Sequence, residues 1–213
     1  GHVDFSYEVS RSLAGCEGAL LLVDAAQGVE AQTIANAYLA IDSNLEIIPV
    51  INKVDLPNAD IPGVKSQIEE ALGLDTETAI LASAKTGAGV DEILEAIVAR
   101  VPPPRPSGAD TTRALIFDSA YDNFRGVVTY IRVFEGSIGL GDKVRFMKTG
   151  RDYDVTEVGY FSPRMVSTDR LHEGEVGYII AAIKDISSVK VGDTITQAQR
   201  PAATALAGYR ESK

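Results

Sequence analysis

Cysteine is almost missing from this chain: Cys16 stands alone among 213 residues, which excludes an internal disulfide framework. Its apolar, helical context reads as buried packing rather than reactivity. With only two histidines beside that cysteine, none of the familiar zinc clusters can be assembled. No apolar run approaches the length of a membrane-spanning helix and no signal-peptide pattern opens the sequence, so a cytoplasmic character is expected. Repeats and low-complexity segments are missing as well. What remains is an ordinary globular composition, 45% hydrophobic and 23% charged, in a length that can bury one large core or two modest ones.

Basic charge is scarce in the first half. Residues 1–110 carry 6 basic against 17 acidic side chains, whereas residues 111–200 carry 12 of each. The first half is therefore a poor nucleic-acid surface, and any RNA contact falls to local clusters in the second. Lys143, Arg145, Lys148 and Arg151 form the densest of these, and they also read as a solvated strand-turn face. Between the halves, Val101-Pro102-Pro103-Pro104-Arg105-Pro106-Ser107-Gly108 reads as a stiff linker that excludes helix and central strand. The expected division is 1–100, a proline-rich linker over 101–110, a second unit over 111–200, and a connecting segment over 201–213.

In the first unit, apolar runs alternate with helical periods. Phe5, Val9, Leu13 and Cys16 recur at helical spacing behind Asp4 as a cap, and residues 19–24 read as a buried strand. Residues 30–41 read as a helix, 45–51 as a strand, 60–72 as a helix closed by Gly73, 79–82 as a strand and 89–100 as a helix. Three such alternations predict a parallel sheet with right-handed crossovers. Beyond the linker the period changes to two. Strands are expected over 114–118, 126–133, 143–148, 154–161, 176–183 and 193–196, enough for a small closed antiparallel barrel.

The chemistry concentrates behind two of the parallel strands. Functional groups of open α/β sheets sit past the carboxyl ends of such strands, and there the chain reads Asn52-Lys53-Val54-Asp55. A carboxylate at Asp55 can accept paired hydrogen bonds from the ring N–H and exocyclic amine of guanine, a pair that adenine does not offer. Asn52 can reach the purine N7 and brace the loop, and the methylene stem of Lys53 can cover one face of the base. By itself the stretch also reads as an Asx turn before Leu56-Pro57. Some thirty residues on, Ser83-Ala84-Lys85 follows the next strand. A small residue at Ala84 lets its backbone N–H approach guanine O6, and Lys85 can cover the other face. The pair of motifs is far more specific than either alone.

These motifs, the opening Gly1-His2-Val3-Asp4-Phe5 and the stretch Arg132-Val133-Phe134-Glu135-Gly136-Ser137-Ile138-Gly139-Leu140-Gly141-Asp142 together resemble the translational GTPases over essentially the whole chain. The resemblance is strongest over 4–13, 23–33 and 46–53; the elongation factor G and BipA branches share the nucleotide motifs but read differently around Ser6 to Ser12, and a fragment of either type stays as an alternative. The resemblance implies an α/β plus all-β protein: a partial P-loop GTPase parallel sheet of three strands with helices, then a translation-factor antiparallel β-barrel. Residues 1–100 would be the C-terminal part of a GTP-binding domain, 111–200 the second domain, and 201–213 the start of a connection to a third.

The resemblance further implies GTP binding and hydrolysis to GDP on the ribosome, through contacts with its RNA and protein, in the cytoplasm or peripherally on the cytoplasmic face of the bacterial membrane. His2 would be the catalytic residue that positions the attacking water, although an N-terminal histidine also reads as simply mobile. Guanine-nucleotide binding would fall to Asn52, Lys53, Asp55, Ser83, Ala84 and Lys85. Magnesium would be held by ligands that precede Gly1, with no metal ligand in this chain. None of the 19 glycines opens a Gly-x4-Gly-Lys-Ser/Thr phosphate loop, so the chain is expected to be a piece of a GTPase that does not turn over by itself. A sheet reduced to three strands leaves residues 19–24 at an open edge, a template for self-association. The alternative is a barrel that binds RNA or ribosomal protein without chemistry of its own.

Overall fold

The computed structural model describes residues 6–183 and 185–207. Contacts divide the chain between Pro103 and Pro104 into two units.

The first unit runs α1 (Ser6–Leu13), β1 (Gly18–Asp24), α2 (Ala31–Asp42), β2 (Glu46–Asn52), α3 (Ile61–Leu72), β3 (Ile80–Leu81) and α4 (Val90–Arg100). Its three strands are parallel in the order β1-β2-β3. Because β2 is central and covered on both faces, it reads as a continuous apolar run rather than an alternation. Ile51 joins Leu21, Val23, Val64, Ile68 and Leu72 on the face covered by α2 and α3. Ile48 and Val50 turn the other way, against Ile93 and Ile97 of α4. Among the described residues β1 and β3 are the two edges of this sheet, and Leu20 and Leu22 on β1 are exposed.

Local sequence explains the helix ends. Asp60 caps α3, its Oδ1 accepting from Gly63 N–H at 3.0 Å, with Pro62 in the first turn where no amide partner is lost. Gly73 ends that helix at φ 65°, a left-handed conformation glycine adopts without strain. α4 carries Asp91 and Glu92 in its first turn and Arg100 in its last, each matching the helix dipole. Arg100 also reaches Glu46 at 2.9 Å and Thr78 at 3.2 Å, tying the end of α4 to the start of β2.

Cys16 departs from expectation: it is exposed, its thiol 3.4 Å from the Ser12 carbonyl. α1 ends at Leu13 and the chain turns through Ala14 and Gly15, so position 16 never joins the apolar face of the helix.

The second unit is antiparallel: β4 (Arg113–Asp122), β5 (Gly126–Glu135), β6 (Ser137–Gly139), β7 (Lys143–Phe146), β8 (Arg151–Ser162), β9 (Arg164–Thr168), β10 (Arg170–His172), β11 (Val176–Ala181) and β12 (Thr194–Gln197). The order β11-β5-β4-β12-β7-β8 closes on itself through a β11–β8 pairing, with β9 outside it on β8 and a separate β6–β10 ribbon. Ile116, Ile131, Val133, Phe146, Ile179 and Ile195 fill the interior. Both flanks pack on this barrel. Ser107 N–H donates to Glu173, and beyond β12 the amides of Ala202 and Leu206 donate to the hydroxyls of Thr196 and Thr194, each at 2.9 Å.

Candidate functional site

The carboxyl ends of β1, β2 and β3 lie side by side, which is the topological reason that residues far apart in sequence meet. Asp24 and Asn52 are partners in the β1–β2 register. Ile51 pairs with Leu81 in the next ladder. Beyond the strands the backbones stay stitched: Val54 N–H donates to the Ala82 carbonyl at 3.2 Å, and Ala25 N–H to the Asn52 carbonyl at 2.8 Å.

Two side-chain bonds then lock the loops together. Asn52 Oδ1 accepts from Ala84 N–H at 3.1 Å, and Asp55 Oδ1 accepts from Ser83 Oγ at 2.7 Å. Ser83 is buried, and its hydroxyl accepts in turn from Thr86 N–H at 3.2 Å. That last bond points the hydroxyl hydrogen at Asp55. The Ser83 hydrogen bond holds the exposed Asp55 carboxyl below the usual carboxylate range, and the Lys85 charge assists. Asp55 is therefore an anion at neutral pH. A carboxylate has about four lone-pair positions, so the bond to Ser83 leaves acceptor capacity for an incoming pair of N–H donors.

Lys53 occupies the left-handed region at φ 66°, uncommon for a residue with a side chain. Its ammonium lies 2.6 Å from Asp24 Oδ2. The hydrogen bond and charge of Asp24 hold the lysine above its ordinary range. Lys53, with help from the Ala26 N–H, holds Asp24 below the carboxylate range. Close packing supports the second loop as well. Gly89 has φ 75°, and a Cβ there would sit 2.2 Å from the Leu81 carbonyl oxygen, so this position needs glycine on both counts.

The residues expected from the motifs are thus gathered at one end of the sheet. Asn52, Asp55, Ser83 and Ala84 are joined directly, Lys53 turns toward Asp24, and Lys85 acts on Asp55 by charge. His2 lies outside the described residues, as do Asp4 and Phe5. Asp24 and Thr86 were not among the expected site residues; a carboxylate ending a parallel strand was the available signal for the first. Among the described residues, no three His, Cys, Asp or Glu side chains converge in a way that could hold a metal ion, and no helix is long and apolar enough to cross a membrane.

Two members of the basic cluster of the barrel face acids. Arg145 makes two bonds to Asp152, at 2.7 and 3.0 Å, across the β7–β8 hairpin. Lys143 stands 3.9 Å from Asp154, and Arg151 reaches the Ser188 hydroxyl at 3.4 Å.

Comparison with known proteins agrees with both units. Residues 1–103 match the family described as the elongation factor Tu GTP-binding domain, and residues 126–196 match elongation factor Tu domain 2. Elongation factor 4 of Bacillus cereus is 58% identical over 211 residues, and that of Bacillus anthracis is equally similar; each match covers 99% of this chain and 35% of the relative. The chain therefore spans about a third of the length of these relatives. Among solved structures, translation elongation factor SelB of Methanococcus maripaludis, in complex with the GTP analogue GppNHp, superposes with a TM-score of 0.77 at 23% identity, covering 94% of this chain and 45% of that one. At that identity the likeness speaks for the fold.

Proposed function

For a chain that belongs to the translational GTPase family, as its successive elongation-factor-Tu-type domains show, we propose the role of guanine reader and second domain in a ribosome-associated GTPase of the elongation factor 4 kind. The observation that carries this reading is the double lock of Asn52 to Ala84 and Asp55 to Ser83. It pre-orients the one carboxylate that can discriminate guanine, and a site already held in shape spends less binding free energy on ordering itself. Asp55 accepts the ring N–H and amine of the base, the Asn52 amide faces its other polar edge while its Oδ1 holds the Ala84 N–H that the sequence had offered to guanine O6, and the stems of Lys53 and Lys85 flank its rings.

GTP and GDP are the proposed ligands. Magnesium would neutralise phosphate charge in the longer protein, held by groups other than the described residues. Catalysis of phosphoryl transfer is positioning plus charge stabilisation, and the 213 residues hold no Gly-x4-Gly-Lys-Ser/Thr loop. This chain alone is therefore expected to show no GTP hydrolysis above background. Magnesium-dependent turnover that His2→Ala abolishes would overturn that expectation.

The reading also implies a cytoplasmic site of action, with the ribosome as partner. The open edge of β1 and its exposed Leu20 and Leu22 support pairing with a second copy, checked by sedimentation equilibrium. The alternative of an RNA-binding barrel without chemistry is weakened by the pairing of Arg145 and Lys143 with Asp152 and Asp154, which occupies two of the four basic side chains in the cluster. The test of the guanine reading is nucleoside selectivity: saturation-transfer NMR on this chain should show guanosine binding over adenosine, and equal signals would sink it.

A further inference from the structure

We infer that Asp24 is a positioning residue of the guanine site, holding the Lys53 ammonium so that the lysine's methylene stem stands as a wall of the base pocket. The inference rests on the guanine-reading function proposed above and adds a residue to it.

Four observations carry it. The β1–β2 register sets Asp24 beside Asn52, the first residue of the guanine-reading stretch, so the carboxylate reaches the site from a separate strand. Its two oxygens are divided: Oδ1 accepts from Ala26 N–H at 2.8 Å and Gln27 N–H at 3.2 Å, while Oδ2 meets Lys53 Nζ at 2.6 Å. The side chain of Asp24 is 15% exposed and that of Lys53 53%, so a mostly covered group tethers an exposed one. Finally, Lys53 has φ 66°, a rarely used backbone conformation that turns it away from the direction β2 would give.

A lysine stem has four rotatable carbons and loses much freedom when it packs on a ligand. Tethered at its far end in advance, it has less to lose when a base arrives. The pairing also neutralises the ammonium locally, so Lys53 contributes apolar surface to the base rather than an unpaired cation.

Asp24→Asn separates this role from a structural one, because the amide oxygen still accepts from Ala26 and Gln27 while the charge that holds Lys53 is gone. In protein carrying ¹³C-labelled lysine, the Lys53 ε-methylene should titrate at lower pH in the variant than in the wild type. An unchanged titration would show that the pair does not hold the lysine and overturns the inference. Guanosine binding, followed by saturation transfer, should weaken by about twofold to tenfold, the range one immobilised long side chain spans. Adding Lys53→Met to Asp24→Asn supplies an uncharged stem of similar length that needs no tether. This double variant should recover most of the lost binding, and failure to recover it in a folded protein counts against the stem as the working part. If the wild type does not distinguish guanosine from adenosine, the function itself is wrong. Guanosine preference that Asp24→Asn leaves at full strength overturns only the role of Asp24.

Discussion

Ser83 Oγ donates to Asp55 Oδ1 at 2.7 Å, joining two loops 28 residues apart in sequence. In the guanine site proposed above, Ser83 would act on the base through Asp55, without touching it. Its hydroxyl is buried, is oriented by Thr86 N–H, and fixes the direction of the carboxylate.

Removing that hydroxyl should be visible in the acid itself. With Ser83→Ala, the Asp55 carboxyl loses the leading cause of its lowered pKa and should titrate closer to the ordinary aspartate range. Because a depressed carboxyl contributes stability that is present above its unfolded pKa and lost as pH falls through the folded value, the variant should lose this contribution at higher pH than the wild type. Side-chain ¹³C titration of Asp55 reads the shift directly. An unchanged Asp55 titration would mean that the hydroxyl does not bond the carboxylate in solution.

A second prediction concerns the barrel. Arg113 Nε reaches Glu135 Oε2 at 2.6 Å, and its terminal nitrogen bonds the other carboxylate oxygen, in a pair whose acid is 8% exposed. The Arg113 hydrogen bond is the main reason that the Glu135 carboxyl lies below its ordinary range. Glu135→Gln leaves a mostly covered guanidinium without its anion, which should cost about 2–3 kcal/mol at pH 7. The penalty should shrink as pH falls below the ordinary glutamate range and through the depressed folded value, because the wild-type acid then protonates as well. Denaturant melts from pH 7 to pH 3 test this, and a penalty independent of pH would refute the charged pairing.

How much of this was legible beforehand depends on the kind of interaction. The six strands expected from period-two patterning are the six that close the barrel. β6, β9 and β10 were missed because Ser-Ile-Gly, Arg-Met-Val-Ser-Thr and Arg-Leu-His are too short to show a period: β9 is held by pairing to the longer β8, and β6 and β10 by pairing to each other. The gathering of Asn52 to Asp55 with Ser83 to Lys85 was readable because two apolar runs each end in a polar motif, and parallel neighbours align their carboxyl ends. The Asp24–Lys53 pair was not readable. It depends on which strand lies beside β2, on its register, and on a positive φ at a lysine, none of which local composition encodes. Cys16 failed for a related reason: a helical period projected past the end of α1 assigned a face to a residue that is no longer on the helix.

The third prediction follows from the segment after β12. Ala202 and Leu206 donate to the Thr196 and Thr194 hydroxyls, and Arg113 reaches the Thr204 carbonyl at 3.3 Å. Residues 104–206 should therefore melt cooperatively as a separate protein, while residues 104–200 should melt at a lower temperature. Each hydrogen bond lost contributes about 1 kcal/mol, so the pair of amide bonds alone should lower the midpoint by several degrees. Identical melts would mean that the segment does not dock.

The last prediction addresses the proposed base contact. Asp55 presents two acceptor oxygens, and one of them already meets Ser83. In Asp55→Asn the carbonyl oxygen can keep the Ser83 hydrogen bond, which turns the amide nitrogen toward the place where guanine would put its amine. Two donors then face each other, and one charge-assisted bond is lost, so guanosine binding should fall by roughly 10- to 100-fold. Xanthosine carries a carbonyl oxygen in place of that amine. It should gain a partner in the variant while repelling the wild-type carboxylate, so the preference should invert rather than merely weaken. Both nucleosides are to be titrated against the wild type and the variant at matched salt and pH, with adenosine as the control for general damage to the site. Loss of guanosine binding without gain of xanthosine would be compatible with a collapsed loop, and the backbone amide shifts of Ala84 and Thr86 decide that point. A folded variant that still prefers guanosine would show that Asp55 is not the base reader, and Asn52-Lys53-Val54-Asp55 would then be a turn held shut by Ser83.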